Sequence, residues 1–578
     1  MASSPDSPEH PSGRGRAAAG MPNWLGAAGI VLAGAWALWP ALRGPWLWDD
    51  DQYITRNLAL HTSAGFWKNW IDPTVVNYFP LTTTVQWLQW QAWGGQPAGY
   101  HATNIVLHLL GALLLWRLLR KLEVPLAGWG GLIFAVHPIV VESVAWISEL
   151  KNTLSLPFLL LAMIAYVEFD HRRANPAQAG RSIPPYAASL LFFLAAMLSK
   201  STVVMFPVVI LLYCWWRRGR ISCADFKSSA AFFAVSLVLG LVTVGFEHHR
   251  SMSGVMKVPA GDLAARVGQA APAVLFYFSK CVFPRGLSLI YPAWPVLSLV
   301  RPVLAWLLLA AAFTWLWSKR TTWGRHGLFG LGFFVLNLLP VIGIIPIAYQ
   351  DISPVADHFA YLPLIGLIGL AAAILGKAAT RFKPVWGLLA AIALILAIGT
   401  RAYAKVFSDA ASLWARTARE NPQSWIPENN LGLVLADGGR RPEAIAHFQR
   451  ALQLQPDEAE VENNLGLALA GAARLPEAIA HERRALELNP DFPEASNNLG
   501  LALARTGQRD AALAEFDRAL RARPDFPEAH RNRGLVLAQA GRMAEAVGEL
   551  ETAVRLDPGY AEAQSNLDLI LRARAEKK

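Results

Sequence analysis

Apolar residues in this chain gather into long runs, not into the alternating or one-faced patterns of soluble domains. The first run covers Trp24–Leu42, and others follow near 102–119, 125–144, 153–168, 185–199, 202–216, 229–246, 299–317, 327–348, 359–376 and 385–403. A perpendicular membrane helix needs about 20 apolar residues, so these read as about eleven spans, several of them short. The two runs flanking Ser199-Lys200-Ser201 also read as one long helix. Basic residues cluster in every second gap: Arg14/Arg16, Arg117/Arg120/Lys121, Arg172/Arg173/Arg181, Arg217/Arg218/Arg220, Lys319/Arg320/Arg325 and Lys377/Arg381/Lys383. Positive charge collects in short cytoplasmic loops, which predicts an inside N-terminus, an outside segment from Glu247 to Ser298, and an outside C-terminal region. Within that segment, apolar Ala271–Leu287 carries Lys280 and Arg285 and is expected to be a re-entrant or surface-lying helix.

The remaining gaps share one face. They hold Trp48-Asp49-Asp50-Asp51, His137-Pro138, Glu142, Glu149, Lys151-Asn152, Lys200, Glu247-His248-His249, Asp351 and Asp357-His358. Ionisable groups at or within a membrane are costly, so their one-sided concentration marks a candidate site. His101, Asn104 and His108 share one helix face, but the spacing leaves no adjacent third metal ligand. Interhelical hydrogen bonding is expected of them.

From Trp425 the pattern changes to one that repeats every 34 residues, with Gly432, Gly466, Gly500 and Gly534 in register and Pro422, Pro456, Pro490, Pro524 and Pro558 between helices. Ala444, Ala478, Ala512 and Ala546 are small enough for close helix approach. This is the tetratricopeptide period, in which helix pairs stack into a solenoid. Four full repeats over 425–560 are expected, flanked by an incomplete unit at Asp409–Asn421 and a closing helix at Glu562–Arg574. Asn430, Asn464, Asn498, Asn532 and Asn566 form a ladder two residues before each glycine slot. In peptide-binding repeats that resemble this one, the position faces the groove, where a side-chain amide pairs with a peptide backbone.

The fold class is thus all-α: a disordered cytoplasmic tail over 1–20, a polytopic membrane domain over 21–404 and a repeat solenoid over 405–578. Composition agrees, with 54% hydrophobic and 16% charged residues in 578. The net charge of +10 lies in the alternating gaps and speaks for a membrane, with no nucleic-acid partner expected. Cys214, Cys223 and Cys281 show no zinc or disulfide spacing.

The strings Trp48-Asp49-Asp50-Asp51-Gln52-Tyr53-Ile54, His137-Pro138-Ile139-Val140-Val141-Glu142-Ser143-Val144-Ala145-Trp146, Leu198-Ser199-Lys200 and Ala356-Asp357-His358-Phe359-Ala360-Tyr361-Leu362-Pro363 stand in order ahead of the repeats. In this the chain resembles the transmembrane, tetratricopeptide-repeat-containing O-mannosyltransferases and their bacterial relatives. The family is similar to the C-type glycosyltransferases, so the resemblance implies an inverting enzyme. It would take a sugar, mannose or a similar hexose, from a polyprenyl-phosphate carrier and place it on a hydroxyl acceptor, protein Ser or Thr, at the non-cytoplasmic face. Short loops and Ala/Arg/Pro-rich composition point to a bacterial inner membrane with the repeats in the periplasm.

Such transfer needs a carboxylate to accept the hydroxyl proton and cations to hold the departing phosphate. The family's acid pair on the first outside loop maps to Asp49 and Asp50, Ile54 and Asn57 keeping the register, with Asp50 expected as the base and Asp51 an additional carboxylate. Lys200 is expected on the donor phosphate, with Lys151 as a weaker second, each a compact point charge. His137, Glu142, Asp357 and His358 are expected around the same cavity. No cofactor is expected beyond the lipid-linked donor; a divalent metal is compatible with the carboxylates but not indicated by them. Where relatives commonly carry arginine, this chain has Phe79, Leu150 and His358. That departure supports an alternative: a non-enzymatic scaffold whose repeats recruit periplasmic proteins.

Overall fold

The computed structural model describes residues 23–71, 78–252, 263–294, 300–345 and 347–576. The expected tail over 1–20 lies outside them, as do the side chains of Glu247, His248 and His249. Every regular element among the described residues is helical. The apolar runs become Asn23–Leu38, Pro97–Lys121, Ala127–Ala135 with Val141–Ala145, Leu150–Ala174, Ile183–Ser199, Phe206–Arg218, Cys223–Met252, Val300–Ser318, Gly324–Leu338, Leu364–Ala379 and Pro384–Val406.

The expectation of eleven spans is not met by length and hydropathy. Seven helical segments among the described residues are long and apolar enough to cross a membrane, or eight if the pair bent by 50° at Val136-His137 is one span. Phe206–Arg218, Gly324–Leu338 and Leu364–Ala379 fall short. The shortening has visible causes. Pro207 and Pro340 open or end helical stretches, and Lys200 takes an extended backbone (φ −158°, ψ 126°) that separates Ile183–Ser199 from the next helix. The reading of Ser199-Lys200-Ser201 as a break thus holds, and the one-helix alternative does not.

Small residues let the short helices pack closely. A Cβ on Gly366 would stand 2.5 Å from the Gly330 carbonyl oxygen, so Gly324–Leu338 and Leu364–Ala379 touch backbone to backbone. The run expected to be re-entrant or surface-lying is a helix over Leu263–Val282 that buries Tyr277 and Cys281 in the bundle core and exposes Leu263, Val267, Phe278 and Val282. Tyr277 accepts a hydrogen bond from the Ala356 backbone N–H at 3.1 Å.

At the end of the bundle carrying the basic gaps, Asp170 and Asp225 are ion-paired with Arg173 and Arg218 at 2.6 to 3.0 Å. Cys214 completes a compact group with the two aspartates. Their oxygens are already neutralised by guanidinium groups, so the group is a charge clamp and not an open ligand set.

The repeats form as spaced. Paired helices run Trp425–Asp437 with Arg441–Leu454, Ala459–Gly471 with Leu475–Leu488, Pro493–Arg505 with Arg509–Ala522, and Pro527–Gln539 with Met543–Leu556, closed by Ala561–Glu576. Ala444, Ala478, Ala512 and Ala546 are all fully buried. Ala410–Glu420 joins the solenoid to the membrane domain. Its Trp414 is buried edge-on against Trp48 at 5.5 Å, and Arg416 donates to the Leu287 carbonyl.

Candidate active site

The loop after the first helix turns at Trp48, whose φ of 49° places a bulky residue in the left-handed region. Such backbone is costly and persists only where surroundings hold it. Here three rings do so: Trp146 stacks on Trp48 at 5.5 Å, and Tyr349 and Trp414 meet it edge-on. The kink presents Asp49 and Asp50 in opposite circumstances.

Asp50 is fully buried. Its Oδ2 accepts from the Leu47 backbone N–H at 2.8 Å, and its Oδ1 accepts from the Ser148 backbone N–H at 2.8 Å and the Ser148 hydroxyl at 2.5 Å. Burial, with the adjacent Asp49 charge, pushes its carboxyl up to about 8. Asp49 is half-buried, and its carboxylate faces Ser148 and the indole N–H of Trp146, with Oδ1 short of full hydrogen-bond geometry among the described residues. Burial raises its carboxyl to about 7, against the opposing charge of Lys151. Asp51 is exposed and accepts from the Thr55 hydroxyl at 2.8 Å, closing its own turn.

The bent pair and the helix after it supply the next layer. Glu149 is buried at the head of Leu150–Ala174, its Oε1 2.8 Å from Lys151 Nζ and its Oε2 3.6 Å from Lys200 Nζ. Asn152 donates to Glu149 and accepts from Lys200 Nζ at 2.6 Å. The extended residue Lys200 is held by a hydrogen bond from the Thr82 hydroxyl to the Ser199 carbonyl, at 2.8 Å. Burial lowers the Lys200 ammonium to about 8.

On the far side, Glu142 accepts from the His358 backbone N–H at 3.2 Å and pairs with His358 Nδ1 at 2.6 Å. His358 Nε2 reaches 4.0 Å from Glu149. Burial pushes the imidazole down to about 3, which leaves it neutral at physiological pH. Asp357 accepts from the Tyr291 hydroxyl at 2.7 Å, and its other oxygen is buried facing the Tyr403 hydroxyl. Burial raises that carboxyl to about 7.

The expected residues therefore divide. Asp49, Asp50, Lys151, Lys200, Glu142 and His358 join one network with Glu149, and Asp357 lies beside His358 at its edge. His137 has both ring nitrogens engaged, with the Cys281 carbonyl at 2.9 Å and the Ile139 N–H at 3.3 Å, so it fixes the bend of the broken pair. Glu149, Asn152 and Ser148 are the organising residues that motif reading underrated. Their signal was a glutamate, a lysine and an asparagine within four positions at the head of an apolar run. His101, Asn104 and His108 bond to the Gly44 carbonyl, the Trp146 carbonyl and the Tyr361 hydroxyl, as interhelical hydrogen bonding requires.

Within the asparagine ladder, Asn464 and Asn498 line a cavity of the repeats, and the ladder also joins one repeat to the next. The amides of Asn464, Asn498 and Asn532 donate to Asn429, Asn463 and Asn497 of the preceding repeat at 2.9 to 3.0 Å. Asn430 donates within its own helix, to the Ile426 carbonyl. The Asn566 amide nitrogen is buried without a partner among the described residues. Four of the five amides thus use one N–H on joining repeats or on their own helix, which leaves each a second N–H.

Tetratricopeptide-repeat family models match residues 426–491 and 497–561. Among curated proteins, the chain is similar to protein O-mannosyl-transferase F38B6.6 of Caenorhabditis elegans, 30% identical over 142 residues, which are 22% of this chain and 21% of that one. It is also similar to protein O-mannosyl-transferase TMTC1 of Homo sapiens, 31% identical over 173 residues, 27% of this chain and 19% of that one. The match spans about a fifth of the length of these relatives. Among solved structures, the crystal structure of MamA protein is 25% identical over 26% of this chain and 84% of that one, with a TM-score of 0.24. The chain thus carries a C-terminal tetratricopeptide-repeat region, and the curated proteins it is similar to are protein O-mannosyl-transferases of the TMTC type.

Proposed function

We propose that the chain is a membrane glycosyltransferase that moves mannose, or a similar hexose, from a polyprenyl-phosphate carrier to a serine or threonine hydroxyl of a protein. The observation that carries this reading is the loosely held Asp49 carboxylate beside the Lys151–Glu149–Lys200 cluster. A base and a cationic phosphate site stand together there, as acyl-free group transfer to a hydroxyl requires.

In this reading Asp49 is the base and Asp50 a positioning residue, because Asp50 is fully buried and both its oxygens already accept hydrogen bonds from Leu47 and Ser148. Asp49 takes the hydroxyl proton as the acceptor oxygen bonds to the anomeric carbon. The bond from that carbon to the phosphate oxygen breaks, and its electron pair leaves with the lipid phosphate. Lys200 and Lys151 offset the charge that develops there, and a single displacement inverts the anomeric centre. The aromatic wall of Trp48, Trp146 and Tyr349 excludes water from the bond being broken. The chemistry faces the periplasm of a bacterial inner membrane, the side to which the charge pattern assigns these loops.

Purified chain in lipid nanodiscs, given polyprenyl-phosphate mannose labelled in the sugar, should transfer label to a Ser/Thr peptide, and Asp49→Asn should not. Equal transfer by both proteins would overturn the reading. One observation favours the scaffold alternative: Phe79 and Leu150 carry no charge and His358 is neutral. Absence of any transfer by the wild-type chain, with repeat-dependent capture of a protein intact, would establish that alternative instead.

A further inference from the structure

In three of the four repeats an apolar side chain fills the slot opposite the helix-A glycine. Phe448, Phe516 and Leu550 stand there at the 34-residue period, 1%, 0% and 0% exposed, facing Gly432, Gly500 and Gly534. In the second repeat the slot holds Glu482, 1% exposed, with its Oε1 2.6 Å from where a Cβ on Gly466 would lie. Neither carboxyl oxygen has a hydrogen-bond partner among the described residues.

Nothing nearby repays that burial. Glu462 is committed to His481 at 2.6 Å, Arg505 donates to the Ala470 carbonyl, and the Arg441 guanidinium lies along Gly471. An unpaired buried carboxylate is among the more expensive features a core can hold. Burial and the neighbouring Glu462 charge push the Glu482 carboxyl well above the usual range. A phenylalanine, used twice at this slot, would remove the cost.

The cost is placed at the floor of a cavity of about 260 Å³ lined also by Asp437, Arg441, Asn464, Asn498 and Arg505. We propose that this cavity receives a basic side chain, arginine foremost, of an extended peptide lying along the asparagine face of the repeats. Two adjacent carboxyl oxygens without partners among the described residues match the planar fork of a guanidinium, which pairs with a carboxylate through parallel N–H···O bonds. Asn498 donates its amide to Asn463 and keeps its carbonyl oxygen for a peptide N–H. The exposed Arg441 and Arg505 at the rim select acidic residues or carbonyls beside the basic one. The inference rests on the reading that the repeats present protein to the membrane site, and it names the segment they select.

The test uses the full chain in nanodiscs and fluorescein-labelled alanine-serine peptides whose central residue is arginine, lysine, norleucine or glutamate. By fluorescence anisotropy, the arginine peptide should bind about tenfold or more tighter than the norleucine peptide, the return on one charge-assisted pair. Glu482→Gln, which keeps the shape and removes the charge, should erase most of that preference. Glu482→Phe should erase it while the repeats stay folded, since Phe448 and Phe516 occupy the same slot. Equal binding of the arginine and norleucine peptides, or a preference that survives in Glu482→Gln, overturns the proposal. A preference without any sugar transfer leaves the pocket standing and removes the transferase reading; transfer without a preference does the reverse.

Discussion

Asp50 and Ser148, 98 positions apart, are joined through both the backbone N–H and the hydroxyl of the serine. The link ties the loop after the first helix to the turn that opens Leu150–Ala174, and so fixes Asp49 against Lys151 and Glu149. Of two adjacent carboxylates, one is tied into the fold and the other, in the proposed reading, is left for chemistry.

That division predicts distinct phenotypes. Asp49→Asn should leave thermal unfolding close to wild type and cut transfer about 10²–10⁴-fold, the usual loss on removing a general base. Asp50→Asn places an amide N–H against donors it cannot accept from, and should cost about 1–3 kcal/mol of stability. Its transfer should fall with the folded fraction and with the misplacement of Asp49. Unfolding midpoints and initial rates measured on both variants separate these roles; an Asp50→Asn protein of full stability with no transfer would return the base to Asp50.

The pH profile follows from the same pair of groups. Asp49 must be ionised to accept a proton, and with its carboxyl raised to about 7, transfer should rise as pH passes that value. Lys200 must keep its proton to hold phosphate, and with its ammonium lowered to about 8, transfer should fall beyond it. The two limbs give a narrow bell in kcat/KM. In Lys200→Arg the alkaline limb should disappear, because guanidinium does not deprotonate in proteins. A rate that is flat across both values would sink the assignment of either group.

Much of this was legible along the chain. Periodicity in the repeats placed every helix pair, because each unit repeats its own glycine, alanine and proline. The gathering of Asp49, Glu142, Lys151 and Lys200 into one cluster, with Asp357 at its edge, was also legible, since apolar runs leave charge only at their ends. Distinguishing Asp49 from Asp50 was beyond the sequence, for it depends on Ser148 arriving from a distant turn. Span number was blurred by Pro207 and Pro340, which shorten helices without interrupting hydropathy.

Lys200 offers a second test of the phosphate site. Its Nζ is held by Asn152 at 2.6 Å and lies 3.6 Å from Glu149, so it is aimed by neighbours and not by its own flexible stem. Lys200→Ala should weaken binding of polyprenyl phosphate and slow transfer together, since the charge acts before and during departure. Asn152→Ala should slow transfer with a smaller loss of binding, because the lysine stays charged and loses only its aim. Titration of a spin-labelled lipid phosphate into each variant, beside rate measurements, reads the difference. Unchanged lipid binding in Lys200→Ala would move the phosphate site to Lys151.

The asparagine ladder gives the last prediction, in which a fold role and a binding role pull apart. Asn464, Asn498 and Asn532 each donate to an asparagine one repeat earlier, so each truncation removes a bond between repeats. At about 1 kcal/mol for a net hydrogen bond, the triple alanine variant should lose about 2–4 kcal/mol of repeat stability. Repeat arrays are held by nearest-neighbour interfaces, so the loss should fall on the junctions between the four repeats and not on the helices of any single one. Hydrogen exchange in the full chain checks this: protection should drop across Ala459–Gly471, Pro493–Arg505 and Pro527–Gln539 and stay near wild type in the membrane helices. Peptide binding through Glu482 should weaken as the repeats loosen and further through loss of the Asn498 carbonyl oxygen, and Asn430→Ala, whose amide bonds within its own helix, should change neither readout by much. Full protection in the triple variant would show that the ladder bonds do not hold the repeats together.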